Sequence, residues 1–248
     1  MTRISVELVP RDVEVLKEEV KTIKEKLNDV DFINIPDLLS CDTRSWDGAN
    51  IAKAYFDDVV PHLRAMDFDF TKELPIKDKL REYNIKEVLV IEGDPPQSML
   101  YQVYPTISTD IIKKFSEEMP EITVYAGIDQ YRSSMKEEEY RIRRKQLAGA
   151  KGFFTQPFFD MRYLEMYADL LDGLDIYWGV SPVLSERSVS YWRNKNNVIF
   201  PKDFEPTLEW NIEFARKVIE FARKHNHNVY LMPIKAKIMP YLEGVFAK

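Results

Sequence analysis

The sequence predicts a (β/α)₈ barrel that occupies residues 1–248 as a single domain. Short apolar runs, each rich in Val, Ile, Phe or Tyr, alternate with longer amphipathic and charged segments. A chain of 248 residues suits this fold, because α/β barrels of that length commonly form one domain. An open doubly wound sheet is the alternative, and it is expected to carry a glycine-rich phosphate loop after its first strand. Here the first strand instead runs into Val9-Pro10-Arg11-Asp12, which favours the barrel.

Eight predicted strands alternate with helical segments along most of the chain. The predicted strands are residues 4–9, 31–35, 59–65, 87–91, 122–126, 152–156, 175–180 and 228–232. The predicted helices are residues 13–27, 72–83, 111–118, 136–148, 163–171, 185–193, 208–225 and 235–246. Pro157 cannot donate to a strand ladder, so we expect the sixth strand to end at Gln156.

Composition excludes several classes of protein. A net charge of −6 argues against nucleic acid as a partner, because nucleic-acid-binding domains are usually basic. A single cysteine, Cys41, excludes an internal disulfide and a multi-cysteine zinc site, and we expect it to be a small buried residue. Three scattered histidines give no metal-ligand spacing, so no metal is predicted. No run has the length of a membrane span or the form of a signal peptide, so we expect a soluble cytoplasmic protein.

In a barrel the functional groups lie at the carboxyl ends of the strands, and Glu7 is the first candidate there. Strand alternation places Glu7 on the face opposite Ile4, Val6 and Leu8, which would pack against the helices. A carboxyl group held among apolar neighbours should have a raised pKa and could act as a general acid. The alternative is a structural ion pair with Arg3 or Arg64.

Two further polar residues follow predicted strands. Asp94 lies in Gly93-Asp94-Pro95-Pro96, where it either forms an Asx turn or supplies a site carboxylate. Gln156 offers an uncharged acceptor and two donors, which suits a flat nitrogen heterocycle, although an ordinary solvated strand end explains it equally well. Paired carboxylates also occur in glycoside hydrolases. The presence of Gln156, and the lack of the many Trp and Asn residues of sugar sites, argues against that class.

Basic and imidazole side chains complete the candidates. A basic run that includes Arg144 and Lys145 lies toward the end of the predicted helix 136–148, where it forms either a solvated face or a phosphate-binding site. His62 follows Pro61 within the third strand, and a single strand histidine is more often a hydrogen-bonded core residue than a ligand. Lys151 lies at the start of the sixth strand, which argues against a Schiff-base aldolase.

Taken together, these residues resemble the methylenetetrahydrofolate reductase family over nearly the whole chain. The resemblance rests on Glu7 with Pro10-Arg11, Pro61-His62-Leu63, Gly93-Asp94, the segment from Ala148-Gly149-Ala150 to Phe154-Thr155-Gln156-Pro157-Phe158-Phe159-Asp160, Gly179-Val180-Ser181-Pro182-Val183, and Lys235-Ala236.

The resemblance implies a (β/α)₈ barrel that binds FAD and reduces 5,10-methylenetetrahydrofolate to the 5-methyl form, with NADH or NADPH as reductant. It implies that Glu7 is the general acid, that Asp94 lies near pterin and flavin, and that Gln156 binds the pterin. It assigns FAD contacts to His62, Asp94, Arg144, Lys145 and Ala150, and substrate contacts to Gln156, Trp192 and Lys235.

The chain departs from the family pattern mainly around the flavin. Glu92-Gly93-Asp94 replaces Arg-Gly-Asp, Ile128-Asp129-Gln130 replaces a Tyr-Pro-Glu motif, and Pro36 replaces a threonine. Two alternatives therefore stand beside the flavoenzyme: a folate- or pterin-binding subunit of a one-carbon complex with weak or no flavin binding, and a reductase that takes hydride directly from a nicotinamide. A homo-oligomer or a partner subunit from one-carbon metabolism is expected.

Overall fold

The computed structural model describes residues 2–96, 98, 100–234 and 236–247. Its eight strands are β1 (Ile4–Glu7), β2 (Phe32–Ile35), β3 (Val59–Arg64), β4 (Glu87–Ile91), β5 (Thr123–Ile128), β6 (Gly152–Pro157), β7 (Ile176–Val180) and β8 (Asn228–Leu231). Every strand pairs in parallel with the next, and β8 returns to β1. The predicted (β/α)₈ barrel is confirmed.

Nine α-helices lie in the described part of the chain. They are α1 (Val13–Lys26), α2 (Ser45–Ala52), α3 (Lys77–Glu82), α4 (Ser108–Glu118), α5 (Met135–Ala148), α6 (Met161–Leu170), α7 (Glu186–Lys195), α8 (Leu208–His225) and α9 (Ile238–Phe246), and a short 3₁₀ turn spans Ala65–Asp67. Among the described residues, no helix is both long enough and apolar enough to cross a membrane.

Two helices differ most from the sequence prediction. The helix predicted over residues 72–83 begins at Lys77, because Pro75 disfavours a helical conformation at the residue before it. The sequence did not predict α2, a short helix with Gly48 at its centre. A Cβ at Gly48 would lie 2.9 Å from Ile35 Cγ2, so the glycine lets α2 pack closely against β2.

The sixth strand also runs one residue further than predicted. Pro157 pairs with Gly179 after a register shift, so the strand does not stop at Gln156. The Thr155 hydroxyl accepts a hydrogen bond from Gly179 N at 2.8 Å, and Phe158 N donates to Gly179 O at 2.9 Å. These bonds continue the ladder across a proline that cannot donate.

The barrel interior is filled by an aromatic plug. Inward-facing side chains from seven strands form it: Phe32, Val60, Leu89, Tyr125, Phe154, Tyr177, Tyr230 and Met232. Phe154 and Tyr177 stack with ring centroids 4.2 Å apart. At the amino ends of the strands Arg3 closes the barrel, because its guanidinium lies over Phe32 and bonds to Glu87. The open end is therefore the one where the strands terminate.

Candidate functional site

Glu7 lies on top of the plug, inside the barrel and 8% exposed. Ile4 and Val6 face the opposite way and join the core between strands and helices, as strand alternation predicts. Tyr230 donates a hydrogen bond from its hydroxyl to Glu7 Oε2. Burial raises the pKa of Glu7 to about 7, although the Tyr230 hydrogen bond acts in the opposite direction. The arginine partners considered from the sequence are engaged elsewhere: Arg3 pairs with Glu87 and Asp58, and Arg64 with Asp67.

His62 and Asn34 lie beside Glu7 on top of the aromatic plug. This layer of polar side chains is called the barrel floor. The two rise from β3 and β2, and Asn34 is paired in register with Glu7. His62 Nε2 lies 3.2 Å from Asn34 Nδ2, and His62 Nδ1 lies 3.9 Å from Glu7 Oε2. Burial lowers the pKa of His62 to about 3, so the imidazole is neutral and makes no salt bridge at physiological pH.

The rim above β2 and β3 is charged and internally paired. Arg44 binds Asp37 through two hydrogen bonds of 2.9 and 2.6 Å and reaches Asp67 at 2.9 Å. Ser45, at the start of α2, donates to the His62 carbonyl at 2.5 Å. The Ser45 hydrogen bond ties the start of α2 to β3. The Asp37 carboxylate is occupied by Arg44.

Asp94 is exposed in the loop after β4. Arg64 Nη2 donates to its carbonyl oxygen at 2.8 Å, which ties this loop to β3. The preceding Gly93 has φ +87°, and a Cβ there would lie 3.1 Å from Arg64 Cβ. The glycine therefore allows the loop to approach Arg64 and places Asp94, which is exposed, at the carboxyl end of the barrel.

Gln156 is exposed at the carboxyl end of β6, with its side chain unburied while its neighbours Thr155 and Pro157 are buried. Its carbonyl oxygen accepts from Gln130 Nε2 at 2.7 Å, so the backbone is fixed and the side-chain amide is left for other partners. Trp192, on α7, is half-buried and packs edge-on against Phe159, just beyond β6, at 6.3 Å between centroids.

Two residues assigned to FAD by resemblance, Arg144 and Ala150, lie away from this opening, and a third, Lys145, is held by a carbonyl near the carboxyl end of β5. Lys145 is mostly buried and donates to the Gly127 carbonyl at 2.6 Å, and burial lowers its pKa. Arg144 is exposed near the Tyr140 ring, roughly 14 Å along α5 from the first residue of the helix. Ala150 is buried before the amino end of β6, roughly 20 Å along the chain from Gln156.

The structure thus brings Glu7 and His62 together and places Asp94 and Gln156 at the carboxyl ends of their strands, but it does not gather the predicted phosphate contacts there. Lys235 lies outside the described residues. In the described part of the chain, no three His, Cys, Asp or Glu side chains form a metal-binding group. Cys41 is partly exposed, so the expectation of a buried residue was wrong.

Sequence reasoning missed Asn34 and Tyr230. Both lie within strands, at positions that alternation places on the inner face with Phe32 and Asn228. A polar residue inside a short apolar strand was the available signal, and it was used for Glu7 and His62 but not for Asn34 or Tyr230.

Comparisons with known proteins agree with this geometry. No protein-family model matches the chain. A curated relative, the 5,10-methylenetetrahydrofolate reductase of Buchnera aphidicola subsp. Schizaphis graminum (strain Sg), is 22% identical over 147 residues, which is 57% of this chain and 50% of the relative. The chain is thus distantly similar to a methylenetetrahydrofolate reductase. The match thus spans about half of that curated relative's length.

Solved structures show the same fold. A protein from Clostridium thermocellum that binds two copies of 5-methyl-5,6,7,8-tetrahydrofolic acid superposes with a TM-score of 0.62 and 13% identity, over 98% of this chain and 92% of that chain. A 2,3-dimethylmalate lyase (TM-score 0.61, 10% identity, 97% of this chain and 77% of that chain) and an oxaloacetate acetylhydrolase (0.60, 10%, 97% and 78%) are also similar. At these identities the likeness concerns the barrel alone.

Proposed function

We propose that the open end of the barrel binds a reduced folate or a related pterin and reduces its methylene group to methyl, with Glu7 as the general acid. The observation that carries this proposal is a buried carboxyl group, with a pKa of about 7, at the carboxyl end of β1. Such a group holds its proton near neutral pH and can release it to a substrate.

The chemistry needs one proton and one hydride. The proton from Glu7 would go to the nitrogen that leaves the methylene carbon, opening the five-membered ring to an iminium cation. Hydride addition to that carbon then gives the methyl product. Once Glu7 has lost its proton, its carboxylate is placed to stabilise the cation. The similarity to a methylenetetrahydrofolate reductase, and to a protein that binds 5-methyltetrahydrofolic acid, supports this substrate class.

Other residues at this end fit binding. The exposed amide of Gln156 can pair with the edge of a pterin, and Trp192 offers a half-buried ring against Phe159, which follows β6. Asp94 adds a second carboxylate on the β4 loop. We propose FAD, reduced by NADH or NADPH, as the source of hydride, with His62 and Asp94 as the assigned contacts that lie at this end of the barrel.

The main experiment is a visible spectrum of the purified protein, followed by anaerobic titration with NADH or NADPH before and after FAD is added. Methylenetetrahydrofolate is then supplied and 5-methyltetrahydrofolate is measured. We expect turnover in the parent and a loss of at least 100-fold in Glu7→Gln, the usual scale of general acid catalysis. Glu18→Gln, an exposed carboxyl on α1, is the matched control. Equal rates in the parent and Glu7→Gln would exclude Glu7 as the acid.

A second function is favoured by the position of Arg144 and Ala150 away from the open end, and by the engagement of Lys145 with the Gly127 carbonyl. We propose as the alternative a pterin-binding subunit of a one-carbon complex, or a reductase that takes hydride directly from a nicotinamide. Tight binding of 5-methyltetrahydrofolate without retention of FAD would favour this alternative. Turnover with NADH or NADPH alone then separates the direct reductase from the binding subunit.

A further inference from the structure

The donors and acceptors on the barrel floor can be assigned from Tyr230 through Glu7 and His62 to Asn34. Glu7 Oε2 already accepts from the Tyr230 hydroxyl, and it faces His62 Nδ1 at 3.9 Å. When Glu7 is a carboxylate, an unprotonated Nδ1 would turn a lone pair toward a negatively charged oxygen, so the favourable arrangement at pH values above about 7 has the proton on Nδ1. Because the imidazole is neutral, Nε2 must then accept, and the neighbouring Asn34 Nδ2 at 3.2 Å is its donor.

This direction leaves the chain of hydrogen bonds with a free acceptor at its end. Asn34 Oδ1 is buried and has no hydrogen-bond partner among the described residues, and the whole residue is 0% exposed. An unsatisfied buried carbonyl is costly, so such a group either binds water or awaits a ligand donor. The register between Glu7 and Asn34 places this oxygen on the same floor as the proposed acid.

We propose that Asn34 is a recognition residue of the open end. Its amide nitrogen holds His62 in the Nδ1–H tautomer, and its carbonyl oxygen accepts a hydrogen bond from an N–H group of the bound heterocycle. The identity of that heterocycle as a pterin rests on the proposed function, whereas the tautomer does not. His62 thereby presents a donor to Glu7 and can stabilise the carboxylate that remains after proton transfer. The distance of 3.9 Å must shorten for that bond to form, as catalytic hydrogen bonds often do when a ligand binds.

The first experiment measures the tautomer without any ligand. Two-bond ¹H–¹⁵N spectra distinguish protonated from unprotonated ring nitrogens, and the chain has only three histidines, so His62→Gln assigns the signal. We expect the Nδ1–H form in the parent at pH 8, where Glu7 is a carboxylate. Asn34→Asp keeps the side-chain size but replaces the donor with a carboxylate, so it should switch His62 to the Nε2–H form. An Nε2–H signal in the parent would mean that the Asn34 amide is reversed, and the proposal would be overturned.

The second experiment titrates 5-methyltetrahydrofolate by calorimetry into the parent, Asn34→Leu, and the control Asn28→Leu, an exposed asparagine in the α1–β2 turn. We expect roughly tenfold weaker binding in Asn34→Leu, the scale of one lost hydrogen bond, and parental affinity in the control. Unfolding midpoints of all three confirm that each is folded. Parental affinity in Asn34→Leu overturns the recognition role. If the parent does not bind 5-methyltetrahydrofolate while the tautomer is as expected, the proposed function fails. The recognition role of Asn34 then fails with it, whereas its effect on the His62 tautomer stands.

Discussion

Replacing Glu7 with Gln tests whether the barrel floor holds a carboxyl group that titrates near neutral pH. Burial raises the pKa of Glu7 from 4.5 to about 7, so the folded protein binds this proton more tightly than the unfolded chain does. The stability from that proton is fully present below pH 4.5 and is lost as the pH rises through about 7. Gln carries no charge at any pH and can still accept the Tyr230 hydrogen bond through its carbonyl oxygen.

The magnitude follows from the two pKa values. Between pH 5 and pH 8 the parent should lose about 2.5 kcal/mol of unfolding free energy through Glu7 alone, a loss that the Gln variant avoids. In a protein of this size that corresponds to a relative gain of roughly 5–10 °C in the melting temperature of the variant.

The assay is thermal unfolding of the parent and Glu7→Gln in matched buffers from pH 5 to pH 8. All other titrating groups are common to the two proteins, so the difference between the two melting temperatures isolates Glu7. Glu18→Gln, in which an exposed carboxyl is removed, shows the effect of deleting one charge at the surface. A difference between parent and Glu7→Gln that does not change with pH would refute the inference that burial raises this pKa.

Three further predictions concern the same end of the barrel. Tyr230→Phe removes a hydrogen bond that favours the Glu7 carboxylate, so the pKa of Glu7, followed by ¹³C NMR of labelled glutamate, should rise further. Gln156→Leu alters an exposed side chain, so chemical denaturation should show a change of at most about 0.5 kcal/mol, whereas calorimetry should show weaker binding of 5-methyltetrahydrofolate. Gly179→Ala would place a Cβ 2.5 Å from the Thr155 carbonyl oxygen, and urea unfolding should reveal a loss of about 1–3 kcal/mol.

The strands could be predicted from the sequence because each is a short β-branched or aromatic run between turn residues, and such a run has few other stable conformations in a chain of this composition. The missed helix α2 shows the limit of that reasoning. Its eight residues include Gly48, which weakens a helix locally, and the close contact with Ile35 that requires the glycine exists only in the folded barrel.

Some residues of the candidate site could likewise be placed from the local sequence, and others could not. Strand alternation alone placed Glu7 inside the barrel, because the side-chain direction in a strand is a local property. The destination of Lys145 is not local: its Nζ turns to the Gly127 carbonyl, eighteen residues earlier in the chain. Charge runs on a helix show only that basic groups are present, and which carbonyl or phosphate they reach depends on packing between elements.

The aromatic plug explains why the acid lies where it does. Phe154, Tyr177 and Tyr230 fill the barrel beneath Glu7, and Arg3 seals the amino ends by bonding the Tyr177 hydroxyl at 3.1 Å. Water therefore reaches Glu7 only from the open end, and a ligand bound there would remove that access too. Under the proposed function, a carboxylate formed by proton transfer would have the Tyr230 hydroxyl and the His62 ring as its nearest polar neighbours among the described residues, together with the substrate cation. That arrangement would stabilise the cation most strongly in the step where the cation forms, which is the requirement for catalysis rather than for binding alone.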